Sequence, residues 1–365
     1  VAVTSDPSAP VALWNSLIAD HVVRWPPIVG RRTVSELSAG GGALGRAASL
    51  VGVDRRTLPL WPYTQVRHAR SLLRLVADDA EIAEPPPLLT QYSRGAAYAE
   101  RPSSDRRYVD DNAWVALAQW QERVITAPHA ATSERAERQL RWLADQVDGD
   151  GGARWIEGGS SRHACSTGGV GLALALMPRG VIPGHAPAMN DELPTRCASF
   201  LHTVLADDHG MIRDNIDADG RIEATRWSYN QGLAVRLDVA LHTRGHGDAI
   251  ARANTAAAAG LAFFDQDELW RQPVIFNAIW FRAVLALSAV DPTGGAAKAG
   301  RASLAAYADR LGQWVATHEP FSAGVVAPDG PGRYQDGESG VIDRAGTVQV
   351  LCLASLAPDQ HHLVI

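Results

Sequence analysis

RRYVDDNAWVALAQWQERVI, residues 106–125, reads as a helix with a charged entry. From Asn112 onward its apolar residues recur at intervals of three and four, the period of an α-helix rather than the alternation of a strand. Two aspartates, Asp110 and Asp111, stand side by side just ahead of that run. Neighbouring Cα atoms are only about 3.8 Å apart, so two ionised side chains there repel one another. One of them could cap the helix, a role worth about 1 kcal/mol. Capping requires one carboxylate and not two, however, and the large rings of Tyr108 and Trp114 flank the pair.

Working outward, the same period recurs in RHARSLLRLVA (67–77) and in ERAERQLRWLADQV (134–147), where Leu140, Leu143, Ala144 and Val147 share a face. Further helices are predicted over 165–176, 230–243, 247–263, 274–290, 299–316 and 346–355. PTRCASFLHTVLAD (194–207) should open on Pro194, a favoured first helical residue. The joints carry Gly, Asp and Pro, as in DGDGG (148–152), DADG (217–220) and DPTGG (291–295), which are turn signals. Strand-like alternation is scarce. Neither a long linker nor a sequence repeat of fixed period appears, which argues against an α-solenoid. An all-α chain, folded as one domain over 1–365 into a closed toroid of helical hairpins, is the expectation.

With 365 residues, 46% hydrophobic, 20% charged and a net charge of -6, the chain reads as a soluble globular protein. The lack of a basic stripe argues against a nucleic-acid partner. The longest apolar stretch, GGVGLALALM (168–177), falls short of the ~20 residues of a membrane span. The opening VAVTSDPSAP has no charged and apolar leader pattern, yet residue 1 is Val, so the compartment stays open. Cys165, Cys197 and Cys352 are odd in number and lack CxxC spacing, so buried free thiols are expected.

Three weaker motifs dissolve under inspection. GGGALG (40–45) matches a dinucleotide loop, but polar RRTVSELSA precedes it and no acidic residue follows at the required offset. NIDADGRIEATR (215–226) imitates a calcium loop through Asn215, Asp217, Asp219 and Gly220. Its twelfth position is Arg226 where a bidentate Glu belongs, so a tight turn is expected. His242 and His246 are four apart, but Gly245 interrupts the helix between them and no third metal ligand is near.

The carboxylate pair therefore carries the functional reading. Retaining glycosidases use two carboxyl groups about 5 to 5.5 Å apart, one nucleophile and one acid/base. Mutual repulsion keeps one of two close carboxyls protonated toward neutral pH, so the pair sets both roles by electrostatics. Aromatic neighbours suit the apolar face of a sugar, and Trp, used 11 times, outnumbers Tyr (7) and Phe (6).

YVDDNAWVALA closely resembles the signature of glycoside hydrolase family 76, the endo-α-1,6-mannanases, in which an aromatic precedes Asp-Asp and Ala-Trp follows. The resemblance recurs in order along the chain. LPLWPYTQV (58–66), DGDGGARW (148–155), ACSTGGVGLALAL (164–176), RWSYNQGLAVRLDVAL (226–241) and IFNAIWFRAVLAL (275–287) are each similar to a block of that family, so that it covers about residues 55–316 and leaves 1–54 unmatched. It implies an (α/α)6 barrel, retaining hydrolysis of internal α-1,6-mannosidic bonds in mannan or a mannose-containing glycolipid or cell-wall polymer, no cofactor and no metal. Carried over by position, Asp110 would be the nucleophile and Asp111 the general acid/base. Asn112, Trp155, Tyr229, Asn230 and Gln231 would contact sugar, together with Thr167 and Asn277 at two positions where this chain departs from the family pattern. Those departures replace Ser-Asn-Gly by Ser166-Thr167-Gly168 and Phe-Lys-Gly by Phe276-Asn277-Ala278. The expected partner is an α-1,6-mannan or manno-oligosaccharide, and the expected state a monomer. A non-catalytic glycan-binding toroid and a sugar 2-epimerase, which would depend on histidines, are the competing readings.

Overall fold

The structure, a computed structural model, describes residues 8–24, 32–34, 57–85, 89–129, 132–177, 189–318, 329–334 and 340–365. The GGGALG stretch lies outside them. Twelve α-helices occur among the described residues: α1 (Ser8–His21), α2 (Leu60–Val76), α3 (Val109–Thr126), α4 (Glu134–Ala144), α5 (Ala164–Leu176), α6 (Met189–Phe200), α7 (Ser228–Thr243), α8 (Ala249–Phe263), α9 (Gln266–Arg271), α10 (Val274–Val290), α11 (Gly295–Thr317) and α12 (Val341–Ser355).

Burial sorts them into two layers. In α10 every residue from Val274 to Ser288 is buried, and α5, α7 and α12 are nearly as enclosed. A helix that is apolar all round has to be surrounded by others. By contrast α4, α8 and α11 bury a single stripe and show water their polar side. The enclosed set packs in chain order, α2 on α3, then α5, α7, α10 and α12, which returns to α2 and closes the ring. Outside it, α1 lies on α12, α4 on α3 and α5, α6 on α5 and α7, α8 on α7, and α11 on α10 and α12. This is an (α/α)6 barrel. Between α2 and α3 the described residues hold 3-10 turns (Asp79–Glu81, Leu89–Tyr92) and a hairpin of strands β1 (Ser93–Arg94) and β2 (Ala97–Tyr98) instead of an outer helix.

The helices meet closely where glycine allows it. A Cβ on Gly232 of α7 would lie 2.9 Å from the Trp280 Cα of α10, and one on Gly346 of α12 would lie 2.8 Å from the Ile275 Cα.

Sequence and structure part in a few places. Helix α1 was not foreseen. The helix expected to open on Pro194 begins at Met189, with Pro194 inside it, and runs on through a π turn over Leu201–Leu205. At the sixth helical position proline forfeits one i→i−4 backbone bond and its ring crowds the carbonyl four residues back. NIDADGRIEATR is a β-hairpin, with β3 (Arg213–Ile216) and β4 (Ile222–Arg226) joined at Gly220, whose φ is +81°. Asp217 Oδ1 accepts from the amides of Asp219 (2.9 Å) and Arg221 (2.8 Å), so that carboxylate serves the turn. Helix α7 stops before Gly245, at φ +94°. All three cysteines are buried and unbridged. No helix among the described residues is long and apolar enough to cross a membrane.

Candidate active site

Because the inner helices run parallel, their N-termini share one rim of the barrel. A cavity of about 530 Å³ opens there, lined by first-turn residues of five of them: Trp61 of α2, Asp110 and Asp111 of α3, Tyr229 of α7, Phe276 of α10 and Ile342 of α12. Cys165, the second residue of α5, touches the floor from the sixth, with Sγ 3.4 Å from Asp110 Oδ2. Converging helix N-termini direct the positive ends of their dipoles toward this space.

Neither aspartate is the N-cap of α3. That position belongs to Tyr108, whose side chain makes no capping bond. Asp110 is instead held by two donors, the Asp111 amide (3.0 Å to Oδ1) and the Cys165 thiol (3.4 Å to Oδ2). Burial raises its pKa to about 6, with those donors pulling the other way. No donor meets the Asp111 carboxyl among the described residues. Burial, then the charges of Asp110 and Glu100, hold its proton well above the usual carboxylate range. Two chemically identical neighbours thus differ in the number of hydrogen bonds their anions receive. Asp110 is the readier anion and Asp111 the proton holder.

The walls are aromatic. On one bank Trp61 meets Tyr334 edge-on at 4.8 Å, and Phe276 lies 4.2 Å from the Tyr229 ring. On the other, Trp155 packs at 5.0 Å from Tyr108 and stacks on His163 at 4.9 Å and 17°. The turn carrying Trp155 is fastened to the start of α3, where the Val109 amide donates to the Trp155 carbonyl at 2.8 Å. Its indole is 39% exposed, an open face above the carboxylate pair.

Of the residues expected to hold sugar, Trp155 and Tyr229 line the cavity beside Asp110 and Asp111. Asn112, Thr167, Asn230, Gln231 and Asn277 do not: each is fully buried and hydrogen-bonded elsewhere, although Asn230 Oδ1 has no partner among the described residues. Asn112 pairs with both backbone groups of Tyr98 (2.8 and 2.9 Å). Thr167 accepts from the Ala153 amide (2.9 Å). Asn230 donates to Asp214 (3.0 Å). Gln231 accepts from Ile212 N (3.0 Å) and donates to the Ala256 carbonyl (2.7 Å). Asn277 donates to the Leu269 carbonyl (2.6 Å) and to the Tyr307 hydroxyl (3.0 Å). They join loops to helices beneath the site, and none of the five is among the residues lining the cavity. Sequence reasoning missed Cys165, Trp61, Phe276 and Tyr334.

The whole fold superposes on known enzymes. A family 76 glycoside hydrolase from a bovine Bacteroides thetaiotaomicron strain matches with a TM-score of 0.70 at 16% identity, covering 97% of this chain and 78% of that one. The chain has the fold of glycoside hydrolase family 76. A family 76 mannosidase from Bacteroides thetaiotaomicron VPI-5482 matches at TM-score 0.67 and 17% identity, covering 95% of this chain and 98% of that one. An inactive α-1,6-mannanase variant from Salegentibacter sp., with two consecutive aspartates replaced by asparagine and α-1,6-mannotriose bound, matches at TM-score 0.67 and 14% identity, over 96% and 99% of the two chains. No protein-family model and no curated protein sequence matches the chain.

Proposed function

We propose that this chain is a family 76 glycoside hydrolase, a single catalytic domain that cleaves internal α-1,6-mannosidic bonds with retention of configuration. One observation carries the reading: adjacent aspartates on the floor of an aromatic-walled cleft, one surrounded by donors and the other by none. The two consecutive aspartates replaced in the inactive Salegentibacter variant, and the mannotriose bound to it, support the same assignment.

The chemistry follows from the asymmetry. Asp111, protonated, gives its proton to the glycosidic oxygen as the C1–O bond breaks. The Asp110 carboxylate attacks C1 from the opposite face and forms a glycosyl ester. Water then attacks C1, Asp111 takes the water's proton, and the ester bond returns its electrons to Asp110. Trp155 and Tyr108 on one side, and Trp61, Phe276 and Tyr334 on the other, offer ring faces and edges to the apolar C–H surface of mannose units. No histidine is among the residues lining the cavity, which counts against an epimerase dependent on one.

Incubation with linear α-1,6-mannan, followed by NMR of the first-formed reducing ends, should show the α-anomer before mutarotation. Initial β-anomer would overturn retention. The parent protein should give internal cuts of defined manno-oligosaccharides and Asp110→Ala none, whereas binding without turnover by the parent would leave a glycan-binding toroid.

A further inference from the structure

We infer that Cys165 is a positioning residue for Asp110, its thiol fixing the carboxylate in the orientation from which it attacks. The inference rests on Asp110 being the nucleophile. Three features of the site carry it. Cys165 is 4% exposed and sits at the second position of α5, so the helix start fixes its Cβ. Its Sγ lies 3.4 Å from Asp110 Oδ2 while the Asp111 amide holds Oδ1 at 3.0 Å, and two donors on the two oxygens set the carboxyl plane. The Tyr229 hydroxyl, from the cavity wall, hydrogen-bonds to the same sulfur. Tyr229, Cys165 and Asp110 form a string that runs from a wall of the sugar cleft to its floor.

Burial, with the negative charges of Asp110 and Asp214 nearby, keeps the thiol protonated well above its ordinary range, so it remains a donor wherever the enzyme works. Sulfur is a weak donor. A hydroxyl in its place would stabilise the anion more and leave it a poorer nucleophile. The thiol steers the carboxylate while withdrawing little of its reactivity.

Two variants and one spectrum test this in the full chain. Cys165→Ala frees Oδ2, and the acid limb of kcat/KM on α-1,6-mannan should move up by about half a unit. Its kcat should fall about tenfold with KM little changed, as expected for misorientation of a reacting group. Cys165→Ser should move the same limb down. Unmoved limbs in both variants would overturn the inference. The S–H stretching band in the acid-minus-neutral infrared difference spectrum of the parent protein should shift to higher frequency as Asp110 takes its proton, and Asp110→Asn should abolish that response. This readout needs neither activity nor a Cys165 variant that folds. A band indifferent to pH would overturn the inference even in an active mannanase. A responsive band in a protein that cleaves no mannan would uphold the contact and sink the hydrolase reading alone.

Discussion

Asp110 and Asp111 are alike in every covalent respect, and the division of labour proposed for them rests on two donors that reach one and miss the other. That division can be tested by leaving-group chemistry. Asp111→Asn should lower turnover of unactivated α-1,6-mannan by about 10²- to 10⁴-fold, the usual reach of a general acid. An aryl mannoside with a good leaving group needs no protonation, so the variant should still release aryl alcohol in a burst. Asp110→Asn should lose both reactions. Stopped-flow absorbance reads the burst, and equal losses on both substrates in Asp111→Asn would reverse the assignment. The pair was legible because adjacency is visible in a sequence. Asn112, Asn230, Gln231 and Asn277 were expected at the cavity and lie outside its lining. The sequence could not show this for a physical reason: an amide at a helix entrance looks the same whether it binds a ligand or a neighbouring backbone. In a barrel whose inner helices are enclosed, such an amide is drawn to those neighbours, because leaving a buried polar group unpaired costs about 1–3 kcal/mol; Asn230 Oδ1 alone of these four residues' amide groups stays unpaired among the described residues. Trp61, Phe276 and Cys165 had a signal that went unused, since all three stand within the first three residues of inner helices.

At the scale of elements, periodicity placed most of the barrel, and α10 was bounded at both ends as the sequence suggested. What periodicity cannot convey is which face of an enclosed helix meets which neighbour, because α5, α7, α10 and α12 are buried on all sides. Small residues decide it instead. Gly346 of α12 lies against the backbone of α10, where an added methyl would meet Ile275 Cα and N at 2.8 Å and Val274 C at 3.1 Å. Gly to Ala inside a helix gains about 1 kcal/mol of intrinsic propensity. Forcing two packed backbones apart typically costs about 1–3 kcal/mol. Main-chain atoms cannot swing aside as a side chain does, so the clash should win, and Gly346→Ala should be destabilised by up to about 2 kcal/mol in urea denaturation. Equal or greater stability would mean that α10 and α12 slide past each other freely. The same displacement would move Phe276 and Ile342 at the rim, so activity should fall with stability.

Taken whole, the molecule gathers acids where they are costly to ionise. Asp110 and Asp111 on the cavity floor, and Asp343 in the first turn of α12, all have pKa values raised by burial, Asp343 to about 7. Asp343 is 1% exposed; its Oδ1 accepts from the Tyr334 amide at 3.1 Å, which holds that cavity-wall residue in place, and its Oδ2 has no partner among the described residues. A carboxyl whose folded pKa lies above its unfolded one binds its proton more tightly in the folded state. Its contribution is fully present below the unfolded value near 4 and is lost as pH rises through the folded value. Raising Asp343 from 3.8 to about 7 corresponds to on the order of 4 kcal/mol lost across that span. The melting temperature should therefore decline from about pH 5 to pH 8, opposite to the trend of a protein whose carboxylates are stabilised by ion pairs. Asp343→Asn keeps an oxygen for the Tyr334 amide and cannot ionise, so its melting temperature should change less over the same range and exceed that of the parent at pH 8. Parallel calorimetric scans of the two proteins at pH 5 and pH 8 decide the matter. A parent that grows more stable on going to pH 8, or an Asn variant with the same slope, would show that Asp343 is ionised in the folded barrel at no cost and that the rim is better hydrated than its burial implies.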